Sequence, residues 1–142
     1  MTLRTNAGIT LLVNNTGIPA TAPLLDSDVE KIDEMIRLNV GALARLTYAA
    51  APGLVARGDG TIVNRNSSLA ISPETLNEVY GGTKAFVLAL SVSLKHELAG
   101  KGGRVPVVLP GATAAGLPVD PDENVAEEPL VVTIDLDNIR FI

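Results

Sequence analysis

The sequence predicts an α/β fold with a mainly parallel sheet, and three observations carry that expectation. Short apolar runs rich in branched residues (Ala7 to Val13, Thr61 to Val63, Val105 to Leu109) are each followed by Asn, Pro or Gly, as suits buried parallel strands. Between them lie two long stretches whose apolar residues recur at helical spacing. The chain is 142 residues long and 46% hydrophobic, the size of one domain with enough apolar content for a core, so residues 1–142 read as a single unit.

The first run, Ala7-Gly8-Ile9-Thr10-Leu11-Leu12-Val13, leads straight into Asn14-Asn15-Thr16-Gly17. Asparagine offers donors and acceptors, and Gly permits a tight turn close to a ligand, at the carboxyl end of a strand where open α/β sheets bind ligands. By themselves these four residues would equally make a plain polar turn. Asp26-Ser27-Asp28 is a good helix start, supplying side-chain acceptors and negative charge beside the positive end of the helix dipole. Ile32, Met35, Ile36, Val40, Leu43 and Leu46 then continue a helical stripe to about Ala51, where Pro52-Gly53 and later Gly58-Asp59-Gly60 bring punctuation. Asn39 falls on that stripe, and a buried amide costs about 1–3 kcal/mol unless hydrogen-bonded, so a partner is expected.

Thr61 to Ser67 reads as the second strand, and a helix from about Val79 to Gly100 follows. It is closed by Gly100-Lys101-Gly102-Gly103. Val105 to Leu109 is the third strand, with Pro106 pointing to a sheet edge or to the strand's first residues. Residues 116–129 interleave acids with Pro118, Pro121 and Pro129 and read as a solvated acidic loop, after which Leu130 to Ile134 form a final strand.

Composition excludes several classes. The formal net charge of −5 lacks the basic patch that nucleic acid requires. No apolar run approaches the roughly twenty residues that span a bilayer, and Met1 to Asn6 lack the apolar segment of a leader. There is no cysteine, hence no disulfide or thiolate metal site, and the lone His96 between Lys95 and Glu97 has no second ligand in view. The expectation is a cytoplasmic protein without metal, nucleic acid or membrane partners.

Tyr80-Gly81-Gly82-Thr83-Lys84 is the stretch with most chemical content. Residues four apart share a helix face, and an ammonium near a phenol favours the phenolate, which makes the pair a plausible proton-transfer device. Such a pair also occurs on ordinary surface helices.

Taken as an ordered set, Asn14-Asn15-Thr16-Gly17, Asn39, Asn64-Arg65-Asn66-Ser67, Tyr80-x-x-x-Lys84 and Pro110-Gly111 resemble the short-chain dehydrogenase/reductase family over roughly residues 8 to 115. The resemblance implies a partial Rossmann-like, doubly wound, three-layer α/β/α sandwich. It implies catalytic Asn39, Ser67, Tyr80 and Lys84, and cofactor contacts from Asn14, Asn15, Gly17, Tyr80, Lys84, Pro110 and Gly111 around NAD or NADP. Ser67 is preferred to Ser68 because Asn64-x-x-Ser67 and the thirteen-residue interval to Tyr80 match the family. In such an enzyme a small-molecule carbonyl or alcohol is interconverted by hydride transfer. Tyr80 exchanges the proton, Ser67 orients the substrate oxygen, Lys84 binds ribose and lowers the Tyr80 pKa, and Asn39 completes a relay. The helices around 28–51 and 79–100 would form a homo-oligomer, or pair with a full-length relative. Two departures stand out: Arg65 replaces an apolar residue, and Thr16 replaces Ala. The family's Gly-x-x-x-Gly-x-Gly turn for the cofactor pyrophosphate occurs nowhere in these residues. The alternative is therefore a truncated homologue that lacks activity and serves as a dimerisation module or survives as a relic.

Overall fold

The computed structural model describes residues 8–19, 22–71, 78–110 and 131–133. Strand β1 (Leu11–Asn14) pairs in parallel with β2 (Gly60–Arg65), and β2 in turn pairs in parallel with β3 (Gly103–Arg104) and β4 (Val107–Pro110). A last strand, β5 (Val131–Thr133), closes the sheet antiparallel to β4, giving the order β1-β2-β4-β5. The expected α/β class and mainly parallel sheet are found.

The crossover from β1 to β2 is helical throughout. Helix α1 (Val29–Ile36) is capped by the Asp28 carboxylate, which accepts from the Glu30 amide at 3.0 Å. It passes through one wide π turn, Arg37–Ala42, into α2 (Leu43–Arg57). The sequence stripe suggested an end near Ala51, but α2 runs through Pro52 to Gly58, which turns left-handed at φ 73°. Pro52 and Gly53 are solvent-exposed, so the hydrogen bond lost at proline is replaced by water, while Leu54 just beyond is 2% exposed and keeps the helix docked. The second crossover is α3 (Glu78–Leu98).

Both crossovers advance the sheet in the same direction. Right-handed connections then put both helices on one face. That face holds the core: Ala50 and Leu54 of α2 and Leu94 and Leu98 of α3 close on Ile62 and Val105, while Leu88 packs with Val107 and Leu109. The opposite face carries Leu11 and Val13, each about half exposed, and no helix covers it among the described residues. The second helical layer of the three-layer expectation is thus outside what is described.

Pro106 does not mark a sheet edge. It separates β3 from β4, and its carbonyl accepts from the Asn64 amide at 3.4 Å, so the missing donor falls where the strand is already interrupted. Gly102 has φ 77°, and a Cβ there would run into the Gly58 carbonyl, so the turn after α3 admits only glycine where it crosses the end of α2. Among the described residues no helix is long and apolar enough to cross a membrane and no acidic, His or Cys cluster could hold a metal. Gly111 and the acidic segment 116–129 lie outside the described residues.

Candidate active site

The carboxyl ends of β1 and β2 meet the first turns of α3, and polar residues collect there. Four of them form a buried chain that pins both strand ends to both helices. The Asn14 amide donates to Asn64 Oδ1 at 2.8 Å and to Thr47 Oγ1 at 3.1 Å. Asn64 Nδ2 donates to Ser91 Oγ at 2.8 Å, and the Ser91 hydroxyl donates to the Val87 carbonyl at 2.6 Å. Thr47, Asn64 and Ser91 are fully buried, so this chain links α2, β1, β2 and α3 through the interior, where a broken link is costly. Asn14, expected to contact cofactor, spends its Nδ2 on this chain, while its Oδ1 is buried without a hydrogen-bond partner. Its neighbour Asn15 is exposed and accepts from Arg65 Nη1 at 3.4 Å.

Asn39 sits in the π turn, which is why a polar residue on the helical stripe faces the site. The extra residue per turn rotates it relative to Met35 and Leu43. It is 2% exposed and fully partnered. Its Oδ1 accepts from the Ile18 amide at 2.9 Å, while Nδ2 donates to the Ile18 carbonyl at 2.9 Å and to Thr83 Oγ1 at 3.3 Å. The Thr83 hydroxyl in turn donates to the Tyr80 carbonyl at 2.7 Å. Asn39 therefore clamps the segment following Asn14-Asn15-Thr16-Gly17 onto the first turn of α3, beside Tyr80.

Tyr80 and Lys84 share a face as their spacing requires, with Lys84 Nζ 5.4 Å from the Tyr80 ring centroid. The ammonium lies over the ring. The expected lowering of the phenol pKa by Lys84 is not what this geometry gives. Burial of the half-buried phenol raises its pKa above the ordinary tyrosine value, opposed by a hydrogen-bonding contact from Ser67 and by the Arg65 charge. Lys84 is lowered from the ordinary lysine value, first by its own burial and then by Arg65. It makes no ion pair among the described residues.

Gly17 forms the wall opposite. A Cβ there would lie 3.1 Å from Asn39 Oδ1 and 3.3 Å from Lys84 Nζ, so the missing side chain leaves a cradle directly above the ammonium. Ser67 begins a short turn, Ser68–Ala70, accepting from the Leu69 amide through its hydroxyl at 3.3 Å. Pro110 ends β4. Of the nine residues named from the sequence, Asn15, Gly17, Asn39, Ser67, Tyr80 and Lys84 converge, Asn14 serves beneath them, Pro110 stands at the neighbouring strand end, and Gly111 is outside the description.

A guanidinium within a central strand would be expensive to bury, and Arg65 avoids that cost because it is the last residue of β2 and its side chain is exposed. Ser91 falls on the same helical face as Tyr80 and Lys84, but its link to Asn64, like the roles of Thr47 and Thr83, has no local mark in the sequence.

Comparison with known proteins adds an independent line. The short chain dehydrogenase family matches residues 3–124. An NADPH-dependent 1-acyldihydroxyacetone phosphate reductase from Schizosaccharomyces pombe is 36% identical over 107 residues, covering 75% of this chain and 36% of the reductase. Among solved structures, the bulky-bulky ketone specific alcohol dehydrogenase of Comamonas testosteroni superposes with TM-score 0.77 at 38% identity, covering 83% of this chain and 47% of that one. A Sphingobium yanoikuyae short-chain dehydrogenase in complex with NADPH gives 0.75 at 44% identity, covering 78% and 43%. The chain thus spans less than half the length of each.

Proposed function

The chain belongs to the short-chain dehydrogenase family, and from that premise we propose that it carries the proton-transfer half of an NADP-dependent oxidoreductase that interconverts a carbonyl and an alcohol. The observation that carries this reading is that Lys84 Nζ stands beside Gly17 and 5.4 Å from the Tyr80 ring centroid, while Ser67 makes a hydrogen-bonding contact to the Tyr80 phenol. Its nucleotide preference is supported by the NADPH named for the yeast and Sphingobium relatives, and its substrate class by the ketone named for the Comamonas enzyme.

The cradle suits the ribose end of a nicotinamide nucleotide. Lys84 Nζ offers three donors beside it. When bound, the nucleotide supplies the hydride. Everything else is done by these side chains. The Tyr80 hydroxyl gives its proton to the carbonyl oxygen as negative charge develops there, and takes it back in the oxidative direction. The Ser67 hydroxyl donates a hydrogen bond to that oxygen and lowers the charge cost. Arg65 places positive charge near the phenolate that remains. Asn39 holds Ile18 and Thr83, and through them the cradle and the Tyr80 turn, in register. The 142 residues contain no Gly-rich turn for the pyrophosphate.

The test is reduction of a ketone series by NADPH, with Tyr80→Phe and Ser67→Ala alongside. The reading requires that Tyr80→Phe abolish turnover while leaving nucleotide binding within about threefold. Equal turnover by Tyr80→Phe would overturn it. We also propose self-association through the helices, supported by the exposed Leu46, Tyr48 and Phe86 on their outer surfaces. Sedimentation of a strictly monomeric chain would refute that.

A further inference from the structure

The turn of α3 that carries Tyr80 is the least self-sufficient stretch of that helix. Tyr80 is followed by Gly81 and Gly82, and glycine holds a helical backbone less firmly than any other residue but proline. Gly82 is exposed, and a Cβ added to it would meet nothing within 4 Å, so no close packing holds it either. The Thr83 hydroxyl supplies what the glycines lack. It donates to the Tyr80 carbonyl at 2.7 Å, a second bond on an oxygen that a helix already engages through the amide four residues on, and it accepts from Asn39 Nδ2 at 3.3 Å. Asn39 in turn holds both backbone groups of Ile18, the residue after Gly17. The Gly17 wall and the Tyr80 turn are therefore referred to one amide, and Thr83 is the joint between them. Thr83 is 4% exposed, so water does not stand in for a lost bond. Ser91, about two turns further along, repeats the device with Asn64 Nδ2 and the Val87 carbonyl, away from Tyr80.

We propose that Thr83 is a positioning residue for Tyr80: its two hydrogen bonds fix the glycine-weakened turn against the Asn39 clamp, so that the phenol keeps one place relative to the Gly17 wall. The inference rests on the Tyr80 site proposed above. It sets Thr83 apart from Ser91, where the same chemistry holds the helix to the sheet as a body. It also has a second-site consequence. What Thr83 supplies is backbone order, and Gly82→Ala, with open space for its Cβ, supplies part of that order by another route.

The experiment uses the chain's two tyrosines, Tyr48 and Tyr80, as reporters. The full chain, labelled with carbon-13 at the tyrosine rings, is compared by NMR as wild type, Thr83→Val, Thr83→Ser, Ser91→Ala and the double variant Thr83→Val with Gly82→Ala. Tyr48, exposed on α2, serves as the internal reference. Valine keeps the branched shape of threonine and removes both hydrogen bonds. The expected result is a Tyr80 signal displaced or broadened in Thr83→Val with Tyr48 unmoved, restored in Thr83→Ser, and returned roughly halfway in the double variant. Thr83→Cys, whose thiol bonds weakly, decides the same comparison where Thr83→Val does not fold. In ketone reduction the expected split is a kcat lowered roughly tenfold or more in Thr83→Val, with KM for NADPH within about threefold. An unmoved Tyr80 signal in the folded variant, a displacement as large in Ser91→Ala, a double variant displaced as far as Thr83→Val, or a displaced signal with unchanged kcat overturns the proposal. A wild-type chain that reduces no ketone refutes the oxidoreductase reading, and the ring signals still decide whether Thr83 sets the place of Tyr80.

Discussion

Lys84→Met should make the folded chain more stable. Lys84 is 7% exposed, has no carboxylate partner among the described residues, and has its pKa lowered by burial and by Arg65. A buried polar group without a partner costs about 1–3 kcal/mol. Its position over the Tyr80 ring returns roughly 0.5–1 kcal/mol as a cation–π contact. Methionine keeps the apolar stem and removes the ammonium, so a net gain of about 1 kcal/mol is expected, equal to about 3–5 °C in Tm for a chain of this size. The gain also depends on pH. Folded Lys84 holds its proton less tightly than unfolded lysine, so the wild-type penalty is complete below its lowered folded pKa. It disappears as pH rises from there toward the ordinary lysine value. Urea unfolding of both proteins from pH 7 to 9.5 should therefore show the variant's advantage shrinking with pH. Tyr80, whose proton is held more tightly when folded, works against stability only as pH climbs past the ordinary tyrosine value. A Lys84→Met chain that is less stable than wild type at pH 7, with an unchanged m-value, would refute the claim that this ammonium is held at a cost for function.

Asn39→Ala leaves the Ile18 amide and carbonyl without their partners and should cost about 2–3 kcal/mol in urea unfolding. Asn39→Asp should lose nearly as much, because its carboxylate faces the Ile18 carbonyl where Nδ2 donated. Gly17→Ala puts a methyl 3.3 Å from Lys84 Nζ and 3.1 Å from Asn39 Oδ1. It should weaken nucleotide binding about tenfold while changing Tm by under about 4 °C, as read by fluorescence titration and thermal melts.

Much of this arrangement was legible in the residues, and what was hidden had physical reasons. Strand ends and helices announce themselves through local patterns: branched apolar runs closing in Asn, the Asp28 cap, and the Tyr80 to Lys84 interval. Pro52 misled because a proline breaks a helix only if the freed carbonyl cannot reach water, and on an exposed face it can. The cost of Arg65 depends on whether the strand has ended, a tertiary fact that residue type alone leaves open. Asn39 was recognised as a polar residue needing a partner, but the partner, the Ile18 backbone, follows from a π turn that no periodicity reveals. The Thr47, Asn14, Asn64 and Ser91 chain joins positions as far apart as Asn14 and Ser91. Each looks ordinary until the fold brings them together. The direction of the Tyr80 pKa was missed for a related reason. Spacing places Lys84 one turn away, but only coordinates show its Nζ over the ring and the phenol partly buried.

The central claim is that Lys84 and the Gly17 cradle form the nicotinamide-ribose end of a nucleotide site within these residues. Titration of the purified chain with NADPH, followed by nucleotide fluorescence, tests it most directly, with Lys84→Ala as the site variant and the exposed Lys101→Ala as the control. The account predicts saturable binding, unchanged in Lys101→Ala and weakened about tenfold or more in Lys84→Ala. Equal affinity in wild type and Lys84→Ala, or no binding at millimolar NADPH in protein shown to be folded, would contradict it.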